Sequence, residues 1–167
     1  DFRDKVTMLA LNTVAPETFD LFPQSLMAIK SNDPSIKLIK DESQSKYFVL
    51  NFCNPTVTNC GLAFATALGF REIYLMGVDL GWKEGGDHHA ELSLYSNLDE
   101  KSLESITPMY EKGSYSIKGN FSENIRTNNV LDDSRSVMEL LLRDNEAQVY
   151  NLSDGALIGG TTPYAPE

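Results

Sequence analysis

The chain has 167 residues, 41% of them apolar, with 14 Lys and Arg against 24 Asp and Glu, for a net charge of −10. That length suits one domain with a hydrophobic core that needs no staples. The acidic balance argues against a protein that tracks nucleic-acid phosphates, and no run approaches the ~20 apolar residues of a membrane span. With no charged-then-apolar leader, the expectation is a soluble, cytoplasmic protein without nucleic-acid or membrane partners. The chain opens at Asp1 and enters a strand-like segment almost at once, as expected of a piece of a larger protein.

In chain order, Val6–Leu11 reads as a buried strand, followed by a short helix near Glu17–Phe22 that stops before Pro23. Gln24–Ile29 adds a further helical turn, Ile36–Ile39 is a weak strand candidate, and Asp41–Lys46 is polar connector. Tyr47–Phe52 is the next strand. It feeds the turn Pro55-Thr56-Val57-Thr58-Asn59 and a small-faced helix over Val57–Leu68 that Gly69 stops. The run Ile73–Val78 reads as a central parallel strand covered on both faces, which completes a βαβ unit. Residues 82–128 are poor in core patterning and read as an insertion or lid within a single domain spanning 1–167. Inside it, the alternation around Lys118-Gly119-Asn120 marks a small hairpin. Ser134 caps a helix through Val137–Leu142, and Ala147–Leu152 is a last strand before the tight turn Ser153-Asp154-Gly155-Ala156. The alternation of strands and helices predicts a three-layer, Rossmann-like α/β domain with a mostly parallel sheet.

Chemistry is expected where parallel strands end, because ligands of open α/β sheets bind in the crevice beyond their carboxyl ends. Asp79, directly after the Ile73–Val78 run, is placed there to hold a metal or a sugar hydroxyl, or simply to turn the chain. Thr56, Thr58 and Asn59 sit at a strand-to-helix junction, where free N–H groups and the positive helix end suit a phosphate or carboxylate; the plain alternative is a good helix cap. The Gly-rich phosphate loops that would strengthen the nucleotide reading are absent. His88 and His89, the only histidines, lie in the glycine-hinged loop Gly85–Glu91 and suit proton transfer near neutral pH. Their adjacency does not suit a helical metal site, so no metal ligand set is assigned. Ser153, Asp154 and Gly155 form either a phosphate or sugar contact or an ordinary turn. Cys53 and Cys60 match neither a zinc spacing nor a disulfide framework and read as packing residues.

The stretch PTVTNCGLAFATALGFREIYLMGVDLGW, the DHHA after it, GNFSENIRTNNVLDDSR and VYNLSDGALIGG together carry a resemblance. They resemble the domain shared by bacterial motility accessory factors, implicated in flagellin glycosylation, and by 6-hydroxymethylpterin diphosphokinase-like proteins. The middle stretch also looks like the TSG-helix-GYKEIYLxGID region of bacterial sialyltransferases that use CMP-sialic acid. The resemblance implies a nucleotide-sugar contact at Thr58 and Asn59, a place near the phosphate for Tyr74, and His89 as base. It implies a transferase that moves a nonulosonic acid from a CMP-activated donor to Ser or Thr of flagellin and requires no cofactor. The alternative it leaves open is an ATP-dependent pyrophosphokinase, for which Asp79, Asp87 and Asp154 would be Mg²⁺ ligands; a non-catalytic, partner-binding module is a third. An upstream Gly-Pro-Ser-type nucleotide loop and an acidic residue closing a following strand are missing, so the chain looks like the C-terminal part of the family domain.

Overall fold

The structure, a computed structural model, describes residues 1–35, 47–83 and 113–165. A 3-10 turn over Phe2–Lys5 precedes strand β1 (Met8–Leu11), helix α1 (Pro16–Phe19), β2 (Ser25–Lys30) and β3 (Val49–Leu50). Helix α2 (Val57–Ala67) leads to β4 (Glu72–Leu75), after which β5 (Tyr115–Lys118) and β6 (Asn124–Thr127) form a hairpin. Helix α3 (Asn129–Arg143), β7 (Gln148–Asn151) and β8 (Thr162–Pro163) complete the chain. Strands β1, β2 and β3 form one parallel sheet in that order, and β4, β7 and β8 form another; the β5–β6 pair is antiparallel. This is the mixed α/β architecture with parallel sheets that the alternating pattern predicts.

Helix α2 joins the two sheets. Its Ala63 and Phe64 pack on Ala28 of β2 and Leu50 of β3, while Leu62 joins Leu75, Val149, Ile125, Met138 and Leu142 in a second cluster beneath α3. Leu141 of α3 touches both clusters. Burial of each such side chain contributes about 1.5–3 kcal/mol, so the clusters are the main hold on the sheets. The helix stops where expected: Gly69 takes φ +86°, the left-handed conformation that satisfies the last carbonyls with no side-chain clash.

Four segments differ from the sequence reading. Gln24–Ile29 is strand, not helix: Leu26, Met27 and Ala28 favour helices in isolation, but pairing with β1 and β3 on both sides overrides that preference. The β3 pairing covers only Val49–Leu50 of the expected Tyr47–Phe52. Ser134 does not cap a helix; it is fully buried in the second turn of α3, whose cap is Asn128, accepting from Leu131 N at 3.1 Å. Among the described residues the run Ile73–Val78 is not a central strand: β4 ends at Leu75, pairs there only with β7, and leaves Tyr74 48% and Met76 73% exposed. An apolar run records hydrophobicity but not how many of its faces are covered. The weak strand candidate Ile36–Ile39 lies outside the described residues, as does most of the 82–128 insertion; the hairpin expected within it is present.

Candidate functional site

The loop that leaves β4 is locked by backbone contacts on two sides. Val78 N donates to Ser153 Oγ at 2.8 Å, and Ala156 N donates to Asp79 O at 2.7 Å. A Cβ on Gly155 would meet Asp79 O at 2.0 Å, so only glycine lets the β7 loop approach this closely. On the other side Trp82 and Arg126 exchange two 2.8 Å backbone hydrogen bonds, and Thr127 Oγ1 donates to the carbonyl of Leu80 at 2.9 Å. Leu80 itself takes φ +49°, an unfavourable conformation for a leucine, held by these bonds and by the burial of its side chain.

This frame presents Asp79 in the loop beyond the carboxyl end of β4, four residues after Leu75 rather than directly after the strand as the sequence reading has it. Its carboxylate makes no hydrogen bond among the described residues, and partial burial, then the nearby Asp154 charge, push its acid constant above the usual aspartate range. Asp154 moves the opposite way. It accepts from Ser122 Oγ at 2.8 Å and pairs with Lys83 Nζ at 2.6 Å, and these partners pull its acid constant down. The β5–β6 hairpin reaches over both loops: Asn120 N donates to Gly155 O at 2.8 Å, and its side-chain Nδ2 donates to the carbonyls of Asn151 and Ser153. Asn120 Oδ1 is buried without a hydrogen-bond partner among the described residues. Lys83, Asn120 and Ser122 were not singled out as site residues from sequence. The only signal for Asn120 and Ser122 is the GNFSEN segment, which the hairpin turn accounts for equally well, and Lys83 lies outside it.

The other candidates fall into place differently. Ser153 and Gly155 are buried and hold the β4 and β7 loops together, leaving Asp154 as the exposed member of that turn. Asn59 is fully buried: its Oδ1 accepts from Thr56 N, Thr56 Oγ1 and Ser134 Oγ, and its Nδ2 donates to Ser134 O at 2.9 Å. It therefore stitches α2 to α3 rather than facing a ligand. Thr56 and Thr58, with hydroxyls 2.7 Å apart, remain partly exposed at the start of α2. Tyr74 lies on the open face of its sheet, not at the strand end. Its ring stacks on Tyr150 with centroids 5.0 Å apart, Tyr164 meets both edge-on, and its hydroxyl donates to Glu72, which raises its acid constant to about 12. His88, His89 and Asp87 lie outside the described residues. Among the described residues no three His, Cys, Asp or Glu side chains gather to hold a metal, and no helix is long and apolar enough to cross a membrane. At the opposite, amino-terminal edge of β1–β3 an open groove of about 300 Å³ is lined by Leu9, Leu26, Phe48, Phe64 and Leu68 among others, all apolar.

Parallel strands that lead into a carboxylate-bearing loop and a helix N-terminus define an α/β protein. The chain belongs to the 6-hydroxymethylpterin diphosphokinase MptE-like family, whose model matches residues 1–85. Among solved structures it is similar to the MAf glycosyltransferase from Magnetospirillum magneticum AMB-1, at 28% identity and a TM-score of 0.69. That match covers 95% of this chain and 22% of the other, so the chain spans about a fifth of that protein's length. No curated protein matches it.

Proposed function

We propose that the chain is part of a glycosyltransferase-like domain that transfers a nonulosonic acid from a CMP-activated donor to Ser or Thr hydroxyls of flagellin. The observation that carries this reading is the likeness to a MAf glycosyltransferase over 95% of the chain. The phosphate of the donor meets the first turn of α2, where the helix N-terminus and the hydroxyl of Thr58, beside that of Thr56, neutralise charge as it develops on the leaving group. Asp79 holds a sugar or acceptor hydroxyl; its raised acid constant lets it exchange a proton closer to neutrality than an ordinary aspartate. His89, or His88 if the loop is turned, takes the acceptor proton. The reaction is a direct displacement in the cytoplasm that needs no cofactor.

The family match favours a second reading, Mg²⁺-dependent pyrophosphoryl transfer from ATP to 6-hydroxymethylpterin. When bound, Mg²⁺ would supply positive charge that offsets the charge of the transferring phosphates. Among the described residues the Asp79 carboxylate has no hydrogen-bond partner, whereas Asp154 is engaged by Lys83 and Ser122. Incubation with a CMP-activated nonulosonic acid and flagellin in EDTA, beside ATP with 6-hydroxymethylpterin and Mg²⁺, separates the two. Metal-independent CMP release supports the transferase. AMP formation only with pterin and Mg²⁺ supports the kinase and overturns it. Capture of flagellin with neither turnover overturns both and leaves a binding module.

A further inference from the structure

Asn120 lies in the turn of the β5–β6 hairpin, where an asparagine side chain ordinarily bonds to the backbone of its own turn. Here the amide reaches away from the hairpin instead. Its Nδ2 donates to Asn151 O at 3.0 Å and to Ser153 O at 2.9 Å, and the backbone N of the same residue donates to Gly155 O at 2.8 Å. Two carbonyls against Nδ2 fix which way the amide points, because the flipped amide would set oxygen against oxygen. The buried Oδ1 has no hydrogen-bond partner among the described residues, an arrangement that costs stability. The side chain is therefore placed for its donors, and these meet the end of β7 and the loop after it. The hairpin is a firm base for them: Ile125 is buried in the cluster beneath α3, and Leu157 N donates to Lys118 O at 3.0 Å.

The loop that Asn120 grips is also the one that holds Asp79. Ser153 Oγ accepts from Val78 N, Ala156 N donates to Asp79 O, and Gly155 packs directly on the Asp79 backbone. Asp154, in the same loop, bears on the Asp79 carboxylate through its charge, and is itself aimed by Ser122 of the hairpin and Lys83 of the β4 loop. We infer that Asn120 is a positioning residue for Asp79, clamping the β7 loop against the Asp79 backbone and fixing the Asp154 carboxylate relative to it. The inference rests on the reading above in which Asp79 contacts a ligand hydroxyl, and adds to it the residue that sets the surroundings of that carboxylate. Loosening the clamp admits water to Asp79 and lets Asp154 move off, and both changes act in the same direction on the Asp79 proton.

The test is an NMR titration of the aspartate carboxyl groups in the wild-type chain, Asn120→Ala and Asn120→Asp, with Asp79→Asn to assign the resonance, amide hydrogen exchange and a thermal melt of each. In both Asn120 variants the Asp79 midpoint should move down toward that of an ordinary aspartate, further in Asn120→Asp, whose carboxylate would oppose the carbonyls of Asn151 and Ser153. The Ala156 amide, which reports the contact with Asp79, should exchange roughly tenfold faster. Asp33, held by Asn12 and Ser35 beside the other sheet, should titrate as in wild type. An unmoved Asp79 midpoint in a folded variant that merely melts earlier would overturn the positioning role and leave Asn120 as structural support. Should neither variant fold, the wild type decides: the Asn120 side-chain amide resonances must follow the Asp79 titration, and resonances indifferent to it would overturn the role. Full turnover by Asp79→Ala, in whichever assay above the wild type passes, would bring down the reading of Asp79 and the positioning role together.

Discussion

The loops that follow β3 and β4 both leave the carboxyl ends of parallel strands, yet they are held in opposite ways. The β4 loop is pinned by hydrogen bonds to the β7 loop and β6 and by glycines that admit no Cβ, and its strained residue, Leu80, is buried. The β3 loop has few such bonds, and its strained residue, Phe52, faces outward. One loop has its geometry imposed by the fold around it, so strain there reads as structural. The other keeps a positive φ, +59° at Phe52, that core packing does not explain.

The comparison can be broken most forcefully at Gly155. Gly155→Ala drives a methyl group into the Asp79 backbone, and urea unfolding should show a loss of about 3 kcal/mol; an unchanged midpoint would mean the β4 loop is not held as described. Next is Leu80→Gly against Phe52→Gly. Both relieve positive φ, but removing the buried leucine side chain should cost about 2 kcal/mol or more, whereas Phe52→Gly should raise stability by up to about 1 kcal/mol. Asn59→Ala leaves Thr56 N and Ser134 buried without their partner and should cost about 2 kcal/mol. The smallest effect is in pH dependence. The Asp79 acid constant is raised in the fold, so its ionisation takes stability away as pH climbs from the ordinary aspartate value through the raised one. Asp79→Asn should therefore shift the urea midpoint slightly upward at pH 7 and leave it unchanged near pH 3. Asp154, whose acid constant is lowered, contributes stability that is lost as pH falls through that lowered value, so Asp154→Asn should shift the midpoint slightly down at pH 7.

The sequence showed the α/β class and the α2 limits because each depends on local pattern: alternation of elements and a glycine stop. It misread β2, because strand pairing on both sides is a long-range event that local preference does not contain. It placed Tyr74 at the phosphate from resemblance, while alternation along β4 turns that ring to the open face beside Tyr150. Asn59 was legible as a polar residue at a helix start; that its partner is Ser134 was not, since nothing near Asn59 points to α3. The sign of φ at Phe52 has no sequence signature, because phenylalanine is not a residue that left-handed turns select.

The Asn59–Ser134 stitch also orders events in time. Its partners are separated by 75 residues, so closing that loop is entropically slow compared with winding either helix. Until α3 arrives, Asn59 Nδ2 lacks its Ser134 acceptor and stays with water, which keeps the neighbouring Leu62 from settling into its cluster. Helix α2 should therefore form early but dock late, and the stretch from β3 to β4 should become protected from hydrogen exchange only in the same kinetic phase as α3.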